Sequence, residues 1–251
     1  MRHPGRRAPA EGTPAAQYAQ MRRINHVHKR SPTNDTENSE LKRKLLLIGG
    51  GGHCRSVLDT AMQLNRYDEI GIVDFTDSSC LGVPVVGNDD DIPDLIRQGW
   101  NEAFITVGSV GSTKVRRRLY EMVKKLNLTV PSLIDPTAVI AGGAEIGEGT
   151  FVGKGAVVNT CAAIGNCAII NTGAIVEHDC RIGDFSHISP GAVVCGQVTV
   201  GNDSHVGAGT VVRQQIVIGD NVLIGAGSTV VKDIPAGAKA YGNPCKVVES
   251  L

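Results

Sequence analysis

The chain has 251 residues, a formal net charge of zero, 4% aromatic residues and 31 glycines. So few large rings exclude a compact core built on Phe, Tyr and Trp, and leave the packing to small and β-branched side chains, as in repetitive β architectures. Charge is uneven, with ten Lys/Arg against four Asp/Glu in residues 1–44 and a net of −6 over the remainder, so the folded part offers no basic surface for nucleic acid.

Residues 1–40, rich in Arg, Pro, Ala, Ser, Thr and Asn without an apolar period, are expected to be a disordered tail. His3, His26 and His28 lie there and are set aside as site residues. No run approaches the ~18 apolar residues that span a bilayer, and the amino terminus lacks the apolar stretch of a secretion signal. A cytoplasmic location is therefore expected. The seven cysteines (54, 80, 161, 167, 180, 195 and 245) form no C-x-x-C pair, which argues against zinc or a disulfide framework and for small buried thiols.

Residues 41–130 read as a small parallel α/β domain. Lys44–Ile48 is an apolar strand running into Gly49–His53, and a helical pattern follows over Arg55–Leu64. A second strand, Glu69–Val73, ends at Asp74. Pro84–Val86 and a helix-like Ile92–Arg97 precede a third strand, Glu102–Val107, which ends at Gly108. Lys114–Leu126 reads as an amphipathic helix. Strands alternating with helices imply crossover connections. The Gly49–His53 loop, between strand and helix, is suited to cradling a phosphate. Asp74 stands where a ribose-hydroxyl acceptor would, although Cys54 fills the last glycine of the dinucleotide fingerprint.

Over residues 131–236 the period becomes six. Ile or Val recurs at every sixth position from Ile134 to Val230, seventeen times without a gap, and a small or β-branched residue follows four positions after each. Each hexad then forms one flat side of a prism, with the aliphatic residue inward, the small residue at the corner and the frequent next glycine easing the bend. Three sides make a coil of 18 residues, so residues 18 apart stack at the strand spacing of ~4.8 Å. Residues 237–251 form a C-terminal segment.

His178 lies in the charged hexad Val176-Glu177-His178-Asp179-Cys180, and Gly196 follows it by 18 residues. A lone histidine on a prism face reads first as a surface side chain. The stacked glycine adds a second meaning: an imidazole beside an unobstructed backbone N–H can pair a general base with an oxyanion donor. Asp179 or Glu177 could fix its tautomer, though neighbouring residues in a strand point to opposite faces. His187 and His205 are also 18 apart and are expected to stack as exposed imidazoles. As a metal pair they lack further ligands, since Ile169 and Leu223 flank them; contact with a ligand carbonyl is the other reading.

Gly50-Gly-Gly-His53, Ile170-Asn-Thr-Gly-Ala-Ile-Val-Glu-His-Asp-Cys180, Ile182-Gly-Asp-Phe-Ser-His-Ile-Ser189 and Gly242-Asn-Pro-Cys-Lys246 give the chain a further meaning. It resembles the bacterial sugar acetyltransferases in which a Rossmann-like domain precedes a left-handed hexapeptide β-helix. The family includes N-acetyltransferases acting on nucleotide-linked 4-amino-4,6-dideoxy sugars and relatives described as sialic acid O-acetyltransferases. The resemblance implies acetyl-CoA as co-substrate with no metal, a nucleotide sugar as acceptor, and a homotrimer with sites between subunits. It implies His178 as general base oriented by Asp179, His187 at the acetyl-CoA thioester and Gly196 as oxyanion donor. Gly51, Gly52, His53, Asp74, Gly108 and Arg116 would hold the nucleotide sugar. Sugar O-acetylation and a non-catalytic or zinc-dependent β-helix are the rival readings.

Overall fold

A computed structural model describes residues 42–76 and 79–250; the tail expected over 1–40 lies outside the described residues. In the first domain β1 (Lys44–Ile48), β2 (Glu69–Val73), β3 (Val85–Gly87) and β4 (Glu102–Ile105) form one parallel sheet in the order β3-β2-β1-β4. Helices α1 (Gly52–Gln63), α2 (Ile92–Arg97) and α3 (Lys114–Lys125) connect and cover it. The run Leu45-Leu46-Leu47-Ile48 is apolar throughout because both sheet faces are covered. Leu45 and Leu47 pack with Val57 and Leu58 of α1, while Leu46 and Ile48 pack with Leu119 and Val123 of α3. Helix α1 opens at Gly52, three residues before its apolar pattern starts at Arg55. His53 therefore belongs to the first helical turn.

The second domain is a left-handed parallel β-helix. Seventeen two-residue strands, β5–β21, run from Leu133–Ile134 to Thr229–Val230, and each ends on one of the periodic Ile or Val residues. They stack into three sheets of five, six and eight strands, the last completed by β22 (Ala238–Tyr241) and β23 (Lys246–Ser250). Pairs such as Arg181↔Thr199 and His187↔His205 establish the 18-residue coil. The inward aliphatic column and the small residues four positions on form one continuous core.

The bend is made differently from the sequence expectation. Left-handed backbone falls three residues after each aliphatic position from Ile140 to Ile224, at Gly143, Gly149, Gly155, Cys161, Cys167 and onward, including Asp179 (φ +59°) and Phe185 (φ +60°). The glycine directly after the aliphatic residue serves close stacking instead. At Gly165 a Cβ would lie 2.5 Å from Asp184 Oδ1 and 2.7 Å from its backbone nitrogen.

The three outer faces differ. On the eight-stranded face Leu133, Phe151 and Ile169 join the core of the first domain with Leu45, Val57 and Phe104. Helix α3 is tied to the same side: Arg117 forms a double ion pair with Asp203 (2.7 Å for each bond), and Lys124 reaches Glu148 at 3.1 Å. The five-stranded face presents Glu145, Ala163, Arg181, Thr199 and Val217 outward. The six-stranded face presents an apolar stripe, Val139, Val157, Ile175, Val193 and Val211. No helix among the described residues is long and apolar enough to cross a membrane.

Candidate active site

His178 follows the strand Ile175–Val176 at a corner of the prism, and Asp179 takes the left-handed corner conformation. That turn overrides the strand alternation and brings the two adjacent side chains together, with His178 Nδ1 2.8 Å from Asp179 Oδ2. A carboxylate can only accept, so Nδ1 carries the proton and Nε2 is left as the lone-pair nitrogen. Glu177 is engaged elsewhere, accepting from Asn159 Nδ2 at 2.9 Å. Asp179 is therefore the residue that orients the ring.

The free nitrogen faces Gly196 one coil above. A Cβ on Gly196 would stand 2.6 Å from His178 Nε2 and 2.7 Å from Cε1, so only glycine lets the imidazole lie against this backbone. The Gly196 carbonyl accepts from the Gln215 N–H at 3.0 Å. Around the pair lies an open depression of about 340 Å³ lined by His178, Cys195, Gly196, Gln197, Gln214 and Gln215. Both His178 and Asp179 are half-exposed.

His187 and His205 do stack, with ring centroids 4.8 Å apart and edge-on to one another. The expectation that they are exposed is corrected: both are partly buried, and the Gly108–Thr113 segment of the first domain reaches His187. His187 Nδ1 lies 3.3 Å from the Ser109 carbonyl oxygen and Nε2 lies 3.0 Å from Asn171 Nδ2. The carbonyl accepts the Nδ1 proton, and Nε2 accepts from the amide. Burial, then the neighbouring His205, pushes the His187 pKa down to about 3. The ring is neutral at physiological pH. His205 Nε2 meets Ser189 Oγ at 3.2 Å, while its buried Nδ1 has no partner among the described residues. Asn171 and Ser189 escaped the sequence reading. Their signal is an offset of 16 residues from the histidine each one holds.

The first-domain candidates gather at the carboxyl end of the sheet. Gly51 caps α1 without a side-chain bond, and a Cβ at Gly51 or Gly52 would meet nothing within 4 Å. Both residues are exposed, at the positive end of a helix dipole. Asp74 Oδ2 accepts from the Gly50 N–H at 2.5 Å and Oδ1 accepts from the Thr76 N–H at 3.0 Å. The Gly50 N–H bond is the main reason its carboxyl is held below the ordinary range. His53 sits edge-on to Phe151, 5.3 Å between centroids, and Gly108 closes against it, a Cβ there being 3.3 Å from His53 Cβ. Its buried Nε2 lacks a partner among the described residues, and burial, then Arg116, lowers its pKa to about 4.

Arg116 is placed differently from its expected companions. It is 3% exposed and gives its donors to the Phe185 carbonyl (3.1 Å), the Cys167 carbonyl and Ser109 Oγ (3.4 Å). The guanidinium thus stitches the two domains together rather than lying open to a ligand. Among the described residues no cluster of three or more His, Cys, Asp or Glu is arranged to hold a metal.

Comparison with known proteins agrees with this architecture. Residues 44–123 match the family model of the PglD N-terminal domain, and residues 197–232 match that of the bacterial transferase hexapeptide repeats. The acetyltransferase domain of PglB from Neisseria gonorrhoeae is 37% identical, the match covering 82% of this chain and 100% of that one, with a TM-score of 0.78. The same domain in complex with acetyl coenzyme A superposes with a TM-score of 0.77, at the same identity and coverage. PerB from Caulobacter crescentus, in complex with CoA and GDP-perosamine, is 36% identical, covering 82% of this chain and 97% of that one, with a TM-score of 0.78. No curated protein sequence matches significantly. With two such relatives matched over nearly their whole length, the chain belongs to the hexapeptide-repeat sugar acetyltransferases that carry a PglD-type N-terminal domain.

Proposed function

We propose that this protein transfers the acetyl group of acetyl-CoA to the amine of a nucleotide-linked amino sugar, with His178 as general base. The observation that carries the reading is the imidazole fixed by Asp179 at 2.8 Å, its free nitrogen against a glycine whose missing side chain leaves it room. The neutral amine attacks the thioester carbonyl carbon while Nε2 takes its proton. Asp179 stabilises the imidazolium that forms. The oxyanion of the tetrahedral intermediate is met by the Gly196 N–H. Collapse breaks the C–S bond, and the imidazolium returns its proton to the departing thiolate. Relatives crystallised with acetyl coenzyme A and with GDP-perosamine support both substrate classes.

His187, held neutral by burial, is assigned to the acetyl-CoA side of the site, and the α1 amino terminus with Gly51, Gly52 and His53 to the nucleotide sugar. Asp74 and Gly108 shape that loop. We further propose a trimer that buries the apolar stripe of Val139, Val157, Ile175, Val193 and Val211. His178 directly follows this face, so trimer packing would turn an open depression into a cleft between subunits. Light scattering reads the assembly, and a monomer in solution would remove that part of the proposal.

The test is CoA thiol release with UDP- and GDP-linked 4-amino-4,6-dideoxy sugars, comparing wild type with His178→Ala. Loss of the base is expected to lower kcat by about 10²–10⁴-fold. Equal activity of the two proteins would refute the role of His178.

A further inference from the structure

The chain contains four phenylalanines. Phe104, Phe151 and Phe185 are at most 4% exposed, whereas Phe75 is 77% exposed. A lone ring left in water contributes nothing to the core, and exposure alone does not assign it a role. Its position supplies one. Phe75 is the residue after β2 and follows Asp74, whose carboxylate is bonded to the Gly50 N–H at 2.5 Å. That bond fixes the start of the β2 loop beside the glycine loop after β1. On the other side of β1 lies β4, and the loop after β4 carries Val110, 74% exposed. Exposed apolar side chains thus stand on the loops that follow the two strands on either side of β1, whose own loop leads into α1.

In open parallel α/β sheets ligands bind outside the carboxyl ends of the strands, with phosphates on the first helix and a ribose near the end of the second strand. The next group along such a ligand is the base, and the next residue along this chain is Phe75. We propose that Phe75 is the platform on which the nucleobase of the acceptor stacks, so that the nucleotide half of the substrate is gripped between the head of α1 and this ring. A π-face accepts any base. Phe75 therefore sets affinity for the nucleotide, and the polar edge of the base must be read by other groups. The inference rests on the acceptor being a nucleotide sugar.

The experiment is calorimetric titration of the full chain with UDP and with GDP, for wild type, Phe75→Ala and Phe75→Tyr, alongside steady-state kinetics. Removing the ring is expected to weaken the preferred nucleotide by roughly 5- to 150-fold, the range seen when base-stacking aromatics are cut to alanine. Phe75→Tyr, which keeps the ring, is expected to bind like wild type. KM for the nucleotide sugar should rise in Phe75→Ala while kcat and KM for acetyl-CoA stay unchanged. Equal nucleotide affinity in wild type and Phe75→Ala overturns the platform, as does a variant whose only defect is a changed oligomeric state. Were the wild type to bind neither nucleotide yet acetylate a nucleotide-free amino sugar, the platform and the nucleotide acceptor would fall together and acyl transfer would stand.

Discussion

Gly196→Ala tests the core of the proposed mechanism with a single methyl group. The new Cβ would stand 2.6 Å from His178 Nε2. Ordinary contact for such atoms begins near ~3.5 Å, so the imidazole must retreat by about 0.9 Å. The backbone offers no obstacle, because Gly196 is not among the residues with positive φ. His178 is half-exposed and can swing outward, so the cost to folding should stay within about 0.5 kcal/mol, as for other surface changes. Catalysis has no such latitude. Displacing a reacting group by about 1 Å costs on the order of 10²-fold, and the methyl also crowds the N–H assigned to the oxyanion. Thiol release from acetyl-CoA, measured with saturating acceptor, should show kcat lowered about 10²-fold with the thermal midpoint nearly unchanged. A Gly196→Ala enzyme with wild-type kcat would refute both the contact and the roles built on it.

Two further outcomes follow from groups outside the reacting pair. Arg116→Leu leaves the carbonyls of Cys167 and Phe185 without their donor, and chemical denaturation should show a loss of about 2–4 kcal/mol; unchanged stability would show that the guanidinium is not a tie between domains. Burial holds His53 and His187 below their ordinary pKa of 6.5, at about 4 and about 3. The unfolded chain then binds protons that the folded chain refuses. Stability is therefore unaffected above pH ~6.5 and falls as pH drops toward 3, by up to about 1.4 kcal/mol per pH unit for each buried imidazole. Between pH 7 and 5, His187→Gln should lose less stability than wild type does, and equal losses would sink the assignment.

The periodic half of the molecule was legible because every sixth side chain points inward and admits only Ile or Val. That regularity gave the strands, the coil length and the stacking of His178 beneath Gly196. The corners were not legible. Their left-handed backbone is carried by Cys161, Cys167, Asp179, Phe185 and Gln197 as well as by glycine, and the neighbouring strands hold such residues where isolated peptides would not. The His178–Asp179 contact depends on that corner, so strand alternation alone argued against it. Covering of His187 was hidden for another reason. It depends on the Gly108–Thr113 loop reaching across from a separate domain, which no local pattern records. The carbonyl partners of Arg116 were hidden likewise, since an arginine near a glycine loop looks the same in sequence whether it meets phosphate or carbonyl.

The stacking of His178 under Gly196 constrains which insertions and deletions the gene can tolerate. Two residues meet here only because one turn of the prism separates them, so between positions 178 and 196 any change of length misaligns the pair. A gain or loss of six residues elsewhere would keep every aliphatic side chain inward, yet turn all that follows onto a different face. Only whole coils can be added without that rotation, and only where no tie to the first domain is crossed. Arg117 with Asp203 and Arg116 with Cys167 and Phe185 pin the central coils. Length variation in this lineage should therefore collect beyond Asp203, in steps of 18 residues, where the β-helix can grow without moving its site.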